Sequence, residues 1–303
     1  MPPSLTFKCK TITPMLMHGA DGASAELRPA SIKGVLRFWW RAIYGNLKTI
    51  NELHDEESKI FGSTDKRSKV IIFPIEITKT EDFQISPTPH HRQGYCSEDD
   101  KSKNCFFRNN ECQKANEKDA KLYTFTLKMM IQENKYMNDK QLKNLFILAT
   151  TLGGFGQRSR RGFGSVKITN ITINGSGASA SPKADENKPL FPKTFKDIEE
   201  LINQTPKFQN LNKHKDDEYP YIQEIKVGKI YDNFEALLTT IGTASHAHDC
   251  NELGSANPRL ASPIYVSVIQ DGSHFRPVIT TLKNTKSDNN NEKVTLFKGA
   301  ING

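Results

Sequence analysis

The chain has 303 residues, 42 basic against 34 acidic, with 36% hydrophobic and 9% aromatic residues. That length fits two ordinary domains or one large one, and the low apolar content points to modest cores carrying long polar loops rather than to disorder. No stretch reaches the roughly 18 apolar residues of a membrane helix, and Met1-Pro2-Pro3-Ser4 leads straight into an alternating segment without a signal-peptide core.

In chain order, Leu5, Phe7 and Cys9 alternate with Thr6, Lys8 and Lys10, which predicts a half-buried strand. Pro29 to Leu47 reads as a helix, because Ile32, Leu36, Trp39 and Ile43 recur at spacings of three and four; Pro29 as first-turn proline or Ser31 as N-cap opens it. Val70 to Phe73 and Tyr123 to Ile131 are expected strands. Gln141 to Leu152 is a second helix with Leu142, Leu145, Phe146, Ala149 and Leu152 on one face, and Gly164 to Ile173 a closing strand. The order β-α-β-β-α-β is the split-βαβ, ferredoxin-like pattern. A Gly/Ser/Ala-rich seam from Asn174 to Pro189 marks a boundary between a domain over 1–173 and a second over 190–303. Beyond it, Phe234 to Ile241 reads as helical and Ile264 to Ile269 and Phe275 to Leu282 as strands, compatible with a second copy of the pattern. Ser86 to Ala120 is a long polar insertion and Lys283 to Lys293 a polar loop.

Charge is distributed unevenly. Residues 1–173 carry a net +9 and residues 174–303 a net −1, so the excess lies where a polyanion such as nucleic acid would bind, although a lysine-rich solvated surface fits equally well. Two segments concentrate it. In Glu26 to Arg41, the residues Lys33, Arg37 and Arg41 form a stripe on one helix face, and both tryptophans of the chain, Trp39 and Trp40, sit beside it. A tryptophan stacked on a base stabilises single-stranded nucleic acid by about 1–3 kcal/mol, but spacing alone fits a solvated basic face better. In Leu152 to Ser165, five glycines surround Arg158, Arg160 and Arg161. Glycines permit positive φ and close approach, and free amides with arginines can grip phosphate oxygens. The segment is neither a P-loop, for want of Gly-Lys-Ser/Thr, nor a dinucleotide fingerprint, because the glycines follow a helix and precede a strand.

Histidines and cysteines suggest little catalysis. Five cysteines without an export signal imply a reducing cytoplasm. His90, His91, Cys96, Cys105 and Cys112, and separately His246, His248 and Cys250, lie at spacings unlike a zinc finger, so free thiols and loop histidines are the simpler expectation and no metal or cofactor is assigned. His18 lies near Asp21 in an early segment, and one histidine beside one aspartate is a thin constellation for catalysis.

The block Glu26 to Ala42, the glycine-rich loop and Arg259-Leu-Ala-Ser-Pro263 together resemble the RAMP superfamily, and within it the first-subunit family of Cmr, or type III-B, CRISPR effector complexes. The resemblance runs in order over most of the chain, whereas 86–120 and 190–230 carry no matching motif. It implies an α+β architecture of tandem ferredoxin-like (RRM-like) domains with long polar insertions. It also implies a non-catalytic, RNA-binding, cytoplasmic subunit, one copy within a hetero-oligomeric assembly, near the guide RNA 3′ end and helping to hold guide or capture target RNA in antiviral defence. Some relatives are instead metal-independent endoribonucleases that process guide RNA, which makes His18 the alternative to weigh. The expected RNA-facing residues are Arg28, Lys33, Arg37, Trp40 and Arg41 from the first block, and Gly154, Gly156, Gln157, Arg158, Ser159, Arg160 and Arg161 from the loop.

Overall fold

Strand β1 (Ser4–Thr11) sends Leu5, Phe7 and Cys9 inward and its lysines outward, as its alternation requires. The computed structural model describes residues 3–17, 19, 24–82, 105–108, 111–114, 120–174, 196, 219–248, 250–256, 259–283 and 291–303. β1 pairs antiparallel with β7 (Ala120–Ile131) on one side, Phe7 opposite Leu127. On its other side it pairs with β8 (Val166–Asn174), with a register shift at Lys8/Cys9. β2 (Met15–Leu16) extends along β7, while β3 (Val70–Ile72) and β4 (Glu76–Asp82) share the opposite edge of β7. β5 (Cys105–Arg108) and β6 (Glu111–Lys114) pair only with each other among the described residues. The sheet order is thus β8-β1-β7-β3/β4, antiparallel throughout.

Three helices belong to this sheet. α1 (Pro29–Tyr44) starts with Pro29 in its first turn after Arg28 at the N-cap, and ends three residues earlier than the periodicity suggests, at Gly45. α2 (Ile50–Phe61) was absent from the sequence reading, although Thr49 and Glu52 form a capping box in which each satisfies the other's backbone amide. α3 (Asp139–Leu152) has a second such box, Asn138 with Gln141. Phe146 of α3 lies 4.5 Å, ring to ring, from Phe7 of β1 and 6.3 Å from Phe155 beyond the helix end.

The second sheet is antiparallel in the order β12-β13-β9, from β9 (Tyr221–Val227), β12 (Ile264–Asp271) and β13 (His274–Lys283). It is accompanied by α4 (Phe234–Ala247) and α5 (Glu292–Asn302) and by the short pair β10 (Ser255–Ala256) and β11 (Arg259–Leu260). Because β12 is buried on both faces, its alternation sorts its side chains into two cores. Tyr265 and Ile269 join the core of the first sheet, where the Ser267 hydroxyl also donates to the Thr151 carbonyl of α3 at 2.5 Å. Ile264, Val266 and Val268 point the other way, to Leu237, Ile241 and Phe297 of α4 and α5. The layers are therefore first sheet, α1 with α3, second sheet, α4 with α5. The larger core runs from the first sheet through α1 and α3 to the second sheet, and the smaller one lies between the second sheet and α4 with α5. The seam at 175–189 lies outside the described residues.

Candidate nucleic-acid interface

The basic stripe of α1 does not face solvent freely. The Glu57 carboxylate of α2, only 4% exposed, accepts from Arg37 Nε at 2.5 Å and from Arg41 Nη1. Arg37 also donates to the Gly62 carbonyl at 3.3 Å, and the Arg41 guanidinium lies 5.3 Å over the Tyr219 ring. Lys33 donates to Ser68 Oγ at 3.0 Å, and burial, followed by repulsion from Arg37, pulls its pKa down. The stripe thus docks α2 and the turn after it onto α1, a partner that sequence reasoning lacked because it missed α2. Trp40, expected near RNA, is 2% exposed and packed against Tyr44 and Phe61, so it offers no face to a base. Arg28, at the helix start, is exposed.

The glycine-rich loop is a strap rather than an open cradle. The Phe155 amide donates to the Gly164 carbonyl, Gln157 to Leu16, Gly162 to Val266 and Gly164 to Pro14, so four of the loop's amides, that of the expected contact Gln157 among them, are already occupied. Thr13 and Ser165 stitch the same region: Thr13 Oγ1 donates to the Gly162 carbonyl and accepts from the Ser165 amide, and Ser165 Oγ accepts from Val268. The strap therefore ties the 13–16 segment to β12 of the second sheet. Its glycines serve this close packing. Gly164 has φ +64°, and a Cβ there would sit 1.9 Å from the Phe155 carbonyl oxygen. Gly164→Ala is accordingly expected to destabilise the protein by about 3 kcal/mol or more, since positive φ and a backbone clash add. A denaturant midpoint equal to wild type would show that the strap is not needed.

The three arginines of the loop separate. Arg161 is 5% exposed and runs through the second sheet: Nη1 donates to the Ile264 carbonyl at 3.1 Å and Nη2 to the Leu253 carbonyl at 2.9 Å, with the guanidinium 5.1 Å over the Phe297 ring. It is a structural residue, which corrects its place among the phosphate contacts. Arg160 is half-buried, its guanidinium 4.8 Å over the Tyr265 ring. Arg158 is half-buried at φ +58°, a left-handed conformation uncommon for a side chain of its size. Gly154 is buried; Gly156 and Gln157 are exposed and Ser159 half-buried. The part of the loop with some exposure is thus the arc 156–160.

A second basic surface carries no motif in the sequence. The outer face of the first sheet carries Lys8 and Lys10 of β1, Lys128 of β7 and Lys167 of β8, interleaved with exposed Thr124, Thr126 and Thr169. Lys10 stands opposite Lys167 in register, two residues beyond Ser165. Lys167 donates to the Gln270 carbonyl at 3.1 Å; burial and then Lys10 pull its pKa down, against Asp271. Glu76, opposite Thr126, is an acid on this face. The signal was present in the outward half of the β1 alternation.

The remaining candidates acquire no geometry. His18, Asp21, His90, His91 and Cys96 lie outside the described residues. Cys105 and Cys112 belong to β5 and β6, and His248 caps α4. Among the described residues no three metal-ligating side chains converge, and no helix is long and apolar enough to cross a membrane.

Comparison with known proteins gives this geometry a family. The RAMP superfamily profile matches residues 8–167. The chain is 31% identical over 182 residues to the CRISPR system Cmr subunit Cmr1-2 of Pyrococcus furiosus, covering 54% of this chain and 93% of that protein. It is 29% identical over 146 residues to Cmr1-1 of the same organism, covering 47% and 40%. Among solved structures, the apo crystal structure of Cmr1 from Pyrococcus furiosus aligns with TM-score 0.58 at 17% identity, over 98% of this chain and 95% of that one. A chain in the cryo-EM structure of type III-B Cmr-beta bound to cognate target RNA aligns with TM-score 0.60 at 12% identity, over 99% and 100%. These last two show a common fold. With more than half of its length matched, the chain belongs to the RAMP superfamily, as a homologue of Cmr1 subunits.

Proposed function

We propose that this chain is a non-catalytic RNA-binding subunit of a type III-B CRISPR effector assembly, acting in the cytoplasm near the guide RNA 3′ end and holding guide or captured target RNA. The observation that carries the reading is the lysine-bearing outer face of the first sheet, with Lys8, Lys10, Lys128 and Lys167, together with the partly exposed arc 156–160 that carries Arg158 and Arg160. Cations on a surface lined by threonines suit phosphate contact without base readout, as a subunit serving many guides requires. Homology to Cmr1 subunits, and the shared fold with a chain of a complex bound to target RNA, support both the assembly and the ligand. In architecture we read tandem ferredoxin-like units. The first has the strand order of the split-βαβ pattern, and the second follows it through β9-α4-β12-β13-α5, with β13 between β12 and β9.

The test is the salt dependence of single-stranded RNA binding. Arg158→Ala combined with Arg160→Ala, leaving Arg161 in place, is expected to weaken binding about tenfold near 0.1 M salt and to lower the log–log salt slope by about 1.4, the loss of two phosphate contacts. A slope equal to wild type in the folded double variant would make the arc structural. The guide-processing alternative rests on His18, which lies outside the described residues. RNA shortened by wild-type protein but not by His18→Ala would establish it.

A further inference from the structure

The strongest unassigned feature is a cleft at the opposite end of the first sheet from the glycine-rich loop. The loop meets β2, which pairs with Lys121 at the start of β7, whereas the cleft opens beyond Ile131 at its end. Ten residues of strand separate the two, roughly 33 Å. The cleft has a volume of about 430 Å3 and is lined by Lys59, Lys66, Arg67, Lys69, Lys135 and Tyr136, with Glu133 as its one acidic lining residue. Asp55 beside it pairs with Lys59 and, at 3.4 Å, with Lys66. Five cations therefore face Asp55 and Glu133, with the exposed Asp65 in the turn that carries Lys66 and Arg67. Arg67, Lys69 and Lys135 have no carboxylate partner among the described residues.

The backbone beneath these charges is fixed in advance. Gly62 ends α2 at φ +87°, where a Cβ would meet the Ser68 amide at 2.8 Å. The Ser63 amide donates to the Lys66 carbonyl, and Ser63 Oγ accepts from the amides of Asp65 and Lys66. Lys69 donates to the Ile60 carbonyl and accepts from Gln132, which ties the turn to the end of β7. On the far wall, Asn134 Nδ2 donates to the Lys59 carbonyl and Asn134 Oδ1 accepts from the Tyr136 amide. Lys59 also donates to the Tyr136 hydroxyl at 3.1 Å, and Lys135 lies 4.8 Å from the centre of the same ring. Like charges gathered on this frame repel one another, and an anion that bridges them relieves the repulsion with the backbone already in place.

We infer that this cleft is a second RNA-phosphate site, remote from the glycine-rich loop, gripping a phosphodiester with Arg67, Lys69 and Lys135. The choice of RNA as the anion rests on the function proposed above; the cationic cleft does not. Its volume suits one phosphate with its sugar. Two sites on opposite ends of one sheet would hold a single strand at two separated points.

The experiment is photocrosslinking of a 4-thiouridine-containing single-stranded RNA to the full chain, with peptide mapping, together with binding by Arg67→Ala/Lys69→Ala. Expected are crosslinks within residues 59–69 or 133–136, and a loss of affinity of about fivefold to tenfold near 0.1 M salt with a slope lower by about 1.4. Crosslinks confined to 153–165 with unchanged binding by the variant would overturn the second site and leave the loop reading standing. Crosslinks in the cleft but not in the loop would uphold the site and sink the loop reading. Poly-glutamate bound through Arg67 and Lys69, with RNA binding unaffected by their loss, would also overturn the assignment.

Discussion

Arg161→Ala is expected to lower the unfolding free energy by about 3–5 kcal/mol while leaving RNA affinity of the folded protein unchanged. The carbonyls of Leu253 and Ile264 accept from its guanidinium inside the protein, and Ser262 Oγ lies 3.4 Å away. Truncation strips those buried acceptors of a charged donor, at about 1–3 kcal/mol each, and removes the side chain packed on Phe297. Arg160→Ala, by contrast, loses one half-exposed contact with Tyr265 and is expected to cost less than about 1 kcal/mol. Urea unfolding of the two single variants measures the difference. Equal and small losses for both, with weakened RNA binding by Arg161→Ala, would return Arg161 to the interface.

Glu57→Ala is expected to be nearly as damaging, by about 3 kcal/mol. Its carboxylate is the buried partner of two arginines, so its removal leaves two partly buried positive charges facing each other. The penalty belongs to the uncompensated charges and not to the missing contacts. Replacing the whole triad with apolar groups, Glu57→Leu with Arg37→Met and Arg41→Met, should therefore recover most of the loss. Denaturant unfolding of single, double and triple variants checks this. Strictly additive losses in the triple variant would mean that the three residues do not act as a unit.

Both expectations turn on what the sequence hides. Arg160 and Arg161 are adjacent and chemically identical on paper; what divides them is a pair of carbonyls contributed from about a hundred residues downstream. Glu57 sits on a helix whose inward residues, Leu53, Ile60 and Phe61, are too sparse among acidic and polar residues to show a hydrophobic period, although its capping box was readable in Thr49 and Glu52. β9 was missed for a similar reason, since Ile222 is its one fully buried residue. Elements with a continuous apolar face, β1, α1, β7 and α3, were legible because burial on one side imposes their period. The glycine-rich loop was legible as a special backbone. Whether its amides are free depends on Pro14, Leu16 and Val266, which only the tertiary fold brings to it.

Purification of the tagged chain from its own cells, with analysis of what comes with it, tests the central claim most directly. The account predicts a stable particle that holds other subunits and a short RNA, whose RNA keeps its length on incubation. Recovery of the chain alone without RNA, or as a free protein that shortens added RNA, would contradict it.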